Sequence, residues 1–277
     1  MYEMTQIQVI FIENEAMLRL SSFAILLFIF MGLQLLRPRR LPEQGCWERR
    51  VNNIVLLVVN IIVVRLMVPL ALFDVAVYAS ENHIGLFNIL EIPLLINVLL
   101  TLIIFDLLIY LQHVITHKVN FLWRIHRVHH IDREVDVTTG IRFHPIEIVL
   151  SIFYKMFAVI IIGPAAIAII LYEILLNAAA LFTHSNILIN PKLDKFLRMF
   201  IVTPDMHRIH HSVMKIETDS NYGNILSIWD KLFKTYHLLP KAGYDDMVIG
   251  LNEFRTPASG QLLQLLKTPF IEPRNLS

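Results

Sequence analysis

The fold is decided by residues 105–147, FDLLIYLQHVITHKVNFLWRIHRVHHIDREVDVTTGIRFHPIE. This stretch begins inside a long apolar run and contains six of the twelve histidines: His113, His117, His126, His129, His130 and His144. Residues 203–212, TPDMHRIHHS, add His207, His210 and His211, and His184 lies between the two stretches. Histidine clusters at the ends of apolar runs predict a metal site at the ends of membrane helices.

The spacing of these histidines is more informative than their number. Residues three and four apart share one face of a helix, with Cβ atoms about 5 to 6 Å apart. HVITH therefore points two imidazoles at one place, and HRVHH and HRIHH each point three. So many imidazoles exceed what one ion accepts, and neutral imidazole binds borderline transition metals. The sequence predicts a site with two metal ions, which would be iron if the chemistry is oxidative.

Composition places the chain in a membrane. It has 277 residues, of which 56% are hydrophobic and 17% charged, and a mean hydropathy of +0.59. The net charge is +1, and no basic cluster is interleaved with aromatic residues, so no nucleic-acid partner is expected. A single cysteine, Cys46, excludes an internal disulfide and any site built from four thiolates. The metal chemistry must therefore rest on histidine.

Five apolar segments could cross a bilayer. They are 18–36, 54–77, 86–111, 146–162 and 165–182. The connection after the first segment carries Arg37, Arg39, Arg40, Arg49 and Arg50, so the positive-inside rule places it in the cytoplasm. The first histidine cluster then emerges on the cytoplasmic side. Segments 146–162 and 165–182 return the chain to that side, whether they span fully or re-enter.

The predicted fold is an all-α, multi-pass helical bundle with a cytosolic, histidine-rich helical cap, formed as one domain over residues 1–277. The acidic N-terminus lacks the features of a cleaved signal peptide, so the first apolar run is expected to remain as a membrane helix. From Asn190 onward the chain is polar enough for the cap. The leucines of 260–270 fit either a helix on the membrane surface or a helix packed on the cap.

Polar residues near the histidines are candidates for holding the ligands in place. Asp106 precedes His113 by two helical turns, and Glu173 and Asn177 precede His184 on one face. His144 can be a ligand or a helix cap, since Pro145 suits the first position of a helix. His83 and His237 lie apart from the clusters and are expected to be structural.

Several of these motifs resemble those of the fatty acid hydroxylase and sterol desaturase superfamily of integral-membrane di-iron enzymes. HVITH, HRVHH and HRIHH look like its three histidine boxes. The flanking stretches RFHPIE, HSN and NYGNILSIWDKLFKTY are also similar, the last at Trp229, Asp230, Phe233, Thr235 and Tyr236. The similarity covers roughly residues 105–236, after N-terminal membrane helices within 18–104.

The resemblance implies a membrane oxygenase in which two irons activate dioxygen on the cytosolic face and oxidise a lipid that enters from the bilayer, such as an acyl chain or a sterol. It implies hydroxylation or desaturation. The ligands would be the nine clustered and linking histidines, with His144 as a tenth. The chain has no fused haem domain, dinucleotide fingerprint or iron–sulfur cysteines, so a separate reductase, ferredoxin, cytochrome or pterin would supply electrons. Zinc could replace iron in purified protein.

Two other readings stay open. A zinc-dependent membrane hydrolase would need a carboxylate base as in HExxH, and none of the histidine boxes contains that glutamate. A non-enzymatic metal- or haem-binding membrane protein would place its ligands nearer the middle of the spans.

Overall fold

The protein is helical throughout the part of the chain that the computed structural model describes, residues 13–42, 46–68 and 70–272. Within these ranges there are three isolated β-bridges and no strand. Residues 1–12, on which part of the expectation about the N-terminus rests, lie outside the described residues. The helices in chain order are α1 (Glu15–Leu36), α2 (Cys46–Met67), α3 (Leu72–Glu81), α4 (Leu86–Ile89), α5 (Leu94–Lys118), α6 (Asn120–His130), α7 (Pro145–Ile162), α8 (Ala166–Thr183), α9 (Pro191–Leu197), α10 (Pro204–His210), α11 (Lys215–Thr218), α12 (Ile228–Leu232), α13 (Gly243–Asp246) and α14 (Leu262–Lys267).

Five helical segments are long and apolar enough to cross a membrane, which confirms the predicted all-α, multi-pass architecture. They are Glu15–Leu36, Cys46–Ile89, Leu94–Lys118, Pro145–Ile162 and Ala166–Thr183. The predicted bounds differ most in the second and third segments, which also end later than predicted, at Ile89 and Lys118. The second segment begins at Cys46 rather than Ile54, and the third begins at Leu94, because Leu86–Ile89 forms a separate short helix before Pro93.

The loops at one end of the bundle meet through two glycines. Gly85 and Gly163 both have positive φ, +93° and +67°, which L side chains rarely adopt. A Cβ on Gly85 would lie 2.4 Å from the backbone nitrogen of Gly163, so the two loops can pack only without side chains there. This contact turns α7 back into α8 at the end opposite the histidines. The two helices therefore form a hairpin, each about 27 Å long at 1.5 Å per residue.

Ion pairs and hydrogen bonds fix the other end of the bundle. Arg39 lies 3.2 Å from the carboxylate of Asp205, and Arg50 lies 2.7 Å from that of Asp136. The arginine-rich connection after α1 therefore shares its end of the molecule with the loops that carry the histidines. Both were predicted to emerge on one side.

The core lies between α3, α5, α7 and α8, where Phe105 packs edge-on against Tyr172 with ring centroids 5.1 Å apart. Helix α14 packs against α2 and the histidine-bearing α6, since Leu265 is fully buried against Leu56 and Val128. This agrees with the packed-helix alternative for residues 260–270.

Candidate metal centre

Two consecutive helices supply the first five histidines. His113 and His117 lie in the last two turns of α5, one turn apart on a shared face. The chain then turns at Val119 and starts α6, which carries His126, His129 and His130 in its last turns and buries all three. The i, i+3, i+4 spacing thus brings the two boxes face to face, as predicted.

The later histidines reach the same place from other elements. His184 directly follows α8 as its C-cap. His207 and His210 lie on α10, and His211 is its C-cap; at the other end, the Thr203 side chain caps α10 by accepting from the Met206 N–H. His207, His210 and His211 are at most 3% exposed. The nine side chains fall into two groups, in each of which one ligand atom per residue lies within 4.8 Å of all the others. Group one is His113, His117, His126, His130 and His210, and group two is His129, His184, His207 and His211.

The two groups lie side by side. The rings of His130 and His211, one from each group, stack with centroids 4.7 Å apart. His126 and His129 approach to 5.4 Å between centroids. A pair of adjacent ions could therefore be held by one continuous set of imidazoles.

In group one, three histidines use Nδ1 for the protein and leave Nε2 without a hydrogen-bond partner. Nδ1 of His113 lies 2.8 Å from the Tyr222 carbonyl oxygen, and Nδ1 of His210 lies 2.7 Å from that of Ser220. Nδ1 of His126 lies 2.6 Å from a carboxylate oxygen of Glu147. The Nε2 atoms of all three are buried and unpaired. An acceptor that holds Nδ1–H leaves the Nε2 lone pair available to a metal.

Group two has the same orientation at two of its members. Nδ1 of His184 lies 2.7 Å from the Ala180 carbonyl oxygen, and Nδ1 of His129 lies 3.3 Å from that of Arg142. The Nε2 atom of His184 then lies 3.0 Å from that of His129 and 2.9 Å from that of His207. Three Nε2 atoms therefore converge on one point, which suits a shared cation.

Burial keeps these imidazoles neutral. Desolvation lowers the pKa of His184 to about 4 and that of His210 to about 3, although a backbone carbonyl partially opposes the shift in each case. Desolvation and neighbouring imidazoles also hold the pKa of His129 and His207 well below the ordinary value. Neutral imidazole is the form that binds metal.

A buried carboxylate fixes the loop that meets His113. Asp230 accepts hydrogen bonds from the N–H groups of Tyr222 and Gly223, at 2.8 and 2.9 Å, and from the Thr235 hydroxyl at 2.7 Å. Desolvation raises the pKa of Asp230, although these hydrogen bonds favour its charged form. Asp230 thus fixes the backbone on both sides of the Tyr222 carbonyl, which faces His113.

A second buried polar network supports His129. Arg142, whose carbonyl oxygen faces His129, donates from its side chain to the Val128 carbonyl and to Asn53. Its guanidinium lies 3.7 Å from Asp132. This network links α6 to α2, which lies far away in the sequence.

One family model matches the chain, that of the fatty acid hydroxylase family, over residues 98–235. This range contains all nine grouped histidines. The chain belongs to the fatty acid hydroxylase superfamily.

Two kinds of characterised superfamily member are similar to the chain. The ornithine lipid hydroxylase OlsE of Rhizobium tropici is 32% identical over 184 residues, which are 65% of this chain and 54% of that protein. The alkylglycerol monooxygenase of Homo sapiens is 32% identical over 143 residues, 51% of this chain and 30% of that protein. That of Danio rerio is 32% identical over 132 residues, 47% and 28% of the two chains. The similarity thus spans about half of the first relative and less than a third of the other two. No solved structure matches the chain significantly.

Three residues were predicted to hold the metal-binding histidines in place, but in the structure they have other hydrogen-bond partners. Asp106 accepts from the N–H groups of residues 225 and 226 and from the Trp229 indole. Glu173 pairs with Arg19 at 2.6 Å, and Asn177 donates to the Glu173 carbonyl. None of the three is hydrogen-bonded to a grouped histidine, so their predicted direct support is corrected.

His144 also lies outside both groups. Its Nδ1 accepts from the Ile146 N–H at the start of α7, and its Nε2 lies 3.2 Å from the Leu266 carbonyl oxygen. Both ring nitrogens are therefore engaged by the backbone, and His144 is a helix cap rather than a tenth member of the set. His83 and His237, expected to be structural, are in neither group.

Proposed function

We propose that the chain is a membrane-bound di-iron oxygenase that uses dioxygen and external electrons to hydroxylate a lipid. One observation carries the proposal: nine histidines from three helices and the end of a fourth, seven of them buried and two partly buried, form two adjacent groups, each within the reach of one ion. Two similar proteins, one called an ornithine lipid hydroxylase and the other an alkylglycerol monooxygenase, support the proposal that the substrate is a lipid.

The residues present fit two metal ions. In group one, the buried Nε2 atoms of His113, His126 and His210 lack any hydrogen-bond partner. Unpaired buried nitrogens are costly unless something binds them. In group two, three Nε2 atoms face one another at about hydrogen-bond distance. Bound irons would supply the redox chemistry with dioxygen, while the protein orients the imidazoles and excludes water.

The hydrolase alternative is disfavoured by the surroundings of the groups. Among the described residues, both groups consist of histidine alone, without a carboxylate. The nearest candidate base, Glu147, holds His126 from its Nδ1 side, away from the unpaired Nε2. A zinc hydrolase needs a carboxylate that can reach the metal-bound water. We nevertheless expect that zinc can replace iron at this site during purification.

The carrier alternative is disfavoured by position. His113 and His117 lie at the C-terminal end of α5, and His184 directly follows α8. A haem or metal carrier would hold its ligands near the middle of its spans.

The proposal places the histidine site on the cytoplasmic side, because the arginine-rich connection lies at the same end. Cys46 offers a test without mutation, since it is the only cysteine and lies in this connection, partly exposed. A membrane-impermeant maleimide should label it in inside-out vesicles. Labelling in right-side-out vesicles alone would contradict the placement.

The substrate is proposed to be a lipid with a long alkyl or acyl chain, delivered from the bilayer. The electrons would come from a separate reductase, ferredoxin, cytochrome or reducing pterin.

Metal analysis combined with lipid oxidation tests the proposal. Protein purified without oxygen should contain two irons per chain, and reconstituted protein should consume oxygen only with a reductant and a lipid. His210→Ala should lose iron and turnover, whereas the matched variant His83→Ala, at an exposed loop position, should keep both. One zinc per chain with oxygen-independent lipid hydrolysis would refute the proposal.

A further inference from the structure

A loop of the cap is attached halfway down a membrane helix. Asp106 lies twelve residues before Lys118, the last residue of α5, which is about 18 Å along the helix. Its carboxylate accepts from the Ile225 and Leu226 N–H groups at 3.2 and 3.0 Å, and from the Trp229 indole at 2.8 Å. The loop before α12 therefore lies at the level of the middle of α5.

A contact with a second helix also places this loop inside the bundle. The side-chain amide of Asn224 lies 3.5 Å from the carbonyl oxygen of Leu176. Leu176 is seven residues before Thr183, the last residue of α8, or about 10 Å along that helix. Two candidate spans thus place residues 224–229 well inside their histidine-proximal ends.

The surface at this depth is apolar. The last turn of α9 and its continuation lie beside α12, because the Ser227 N–H donates to the Phe200 carbonyl at 3.1 Å. We call the paired segments 196–200 and 228–233 the apolar ledge. Trp229 is buried and Leu197 partly buried, but about half or more of each of the other six large apolar residues is exposed: Phe196 54%, Met199 53%, Phe200 57%, Ile228 52%, Leu232 63% and Phe233 47%.

The charged groups of the ledge are satisfied within the protein. The Lys231 amine donates to the carbonyl oxygens of Arg198 and Met199 at 2.7 and 3.1 Å. Arg198 is buried and pairs with Asp194 at 2.6 Å. Lys231 is itself exposed, but these carbonyl oxygens hold its amine, and the other exposed large side chains of the ledge are apolar, as lipid contact favours.

We propose that the apolar ledge is immersed in the acyl chains of the leaflet next to the histidine site. A hydrocarbon core about 30 Å thick covers about twenty residues of a helix. Counted from Leu94, twenty residues of α5 end at His113, so Asp106 and the loop bound to it lie within the hydrocarbon. The cap predicted to be cytosolic from Asn190 onward thus enters the membrane at this ledge.

Immersion brings the metal groups close to the lipid. The loop that precedes α12 includes Tyr222, whose carbonyl faces His113. Phe233, at the end of the ledge, stacks on Tyr110, one turn before His113. The rings of Phe233, Tyr110 and Tyr222 therefore connect the ledge to His113 of group one.

Spin labelling tests the immersion, and its result does not depend on whether the chain is an oxygenase. In a Cys46→Ser background, single cysteines replace Phe200 and Leu232. Controls replace Phe28, an exposed residue of the first span, and Asp246, an exposed residue of the cap. Each labelled protein is reconstituted into phosphatidylcholine vesicles, and collisions with oxygen and with a water-soluble nickel chelate are measured by electron paramagnetic resonance.

Labels at positions 200 and 232 should collide with oxygen as readily as the label at 28, and with nickel far less than the label at 246. Nickel collisions equal to those at 246 would place the ledge in water and overturn the inference. Protection from both reagents would reveal a covering protein surface and would overturn it as well. Metal content and helical circular dichroism confirm that each variant is folded.

Discussion

The contact between Glu147 and His126 offers the sharpest single test of the metal centre. A Glu147 carboxylate oxygen lies 2.6 Å from His126 Nδ1, and both side chains are nearly excluded from solvent. This bond fixes the ring so that Nε2 faces the rest of group one. Glu147→Gln keeps the size and an acceptor oxygen but removes the charge, whereas Glu147→Leu removes the acceptor as well.

Loss of a group that holds a metal-bound histidine costs about 10- to 100-fold in metal affinity or activity. This range corresponds to about 1.4 to 2.7 kcal/mol at 25 °C. We expect Glu147→Gln near the lower value and Glu147→Leu near the upper one, because the leucine leaves the Nδ1–H unpaired. The loss should therefore appear as a weaker free energy of metal binding, and not only as a lower stability of the fold.

The assay is a competition titration of the metal-depleted protein in detergent with cobalt against a coloured chelator. Glu253→Gln, at an exposed carboxylate of the cap, is the matched control and should bind cobalt as the unchanged protein does. Equal cobalt affinity in all four proteins would refute the role assigned to Glu147. A reversed order, with leucine closer to the unchanged protein than glutamine, would refute the argument from the acceptor.

Three further predictions concern stability, measured as thermal unfolding in detergent. Asp106→Leu strands one buried donor, the Trp229 indole, and the two partly buried N–H groups of Ile225 and Leu226. At about 1–3 kcal/mol for a buried donor and less for the other two, a drop of about 3 kcal/mol is expected; an unchanged midpoint would contradict the attachment. Asp136→Asn should cost about 3–5 kcal/mol, since it removes the charged partner of buried Arg50, whereas Arg49 keeps Asp132. Burial opposes ionisation of Asp136, but Arg49 holds its pKa below the usual value. The contribution of Asp136 to stability is therefore complete above its unfolded pKa near 3.9 and is lost as the pH falls through its folded pKa. In Asp136→Asn, the unfolding temperature should depend less on pH in this acidic range. Gly163→Ala should cost more than about 1 kcal/mol, because φ is +67° and the new Cβ would lie 2.7 Å from the Ile84 carbonyl oxygen, and a neutral result would argue against the glycine contact.

Helical spacing predicted part of how the histidines meet. The pairs four apart, His113 with His117, His126 with His130 and His207 with His211, each fall in one group. The members three apart do not, since His129 and His210 lie in the other group from His126 and His207. The rule also suggested that Asp106 supports His113, and there it was wrong. Asp106 bonds to a loop about 120 residues later in the chain, and no local periodicity carries that information.

The groups that hold the histidines were hard to predict for another reason. Four of the groups that face Nδ1 atoms are backbone carbonyls, which leave no trace in residue identity. Glu147 has a side chain, but it lies 21 residues from His126 and pairs with it only once α7 packs on α6. His144 followed its local signal, since Pro145 marks a helix start and the histidine caps it.

The arginine-rich connection stabilises the region that matches the family model, although it lies outside that region. Buried Asp132 and Asp136 lie within the matched range 98–235, yet Arg49 and Arg50, which neutralise them, lie outside it. Gln34 likewise accepts from the backbone of residues 137 and 186 across that boundary. The two leading helices are therefore a scaffold for the histidine loops as well as an anchor. A transplant of residues 98–235 into another protein would have to bring its own counter-charges.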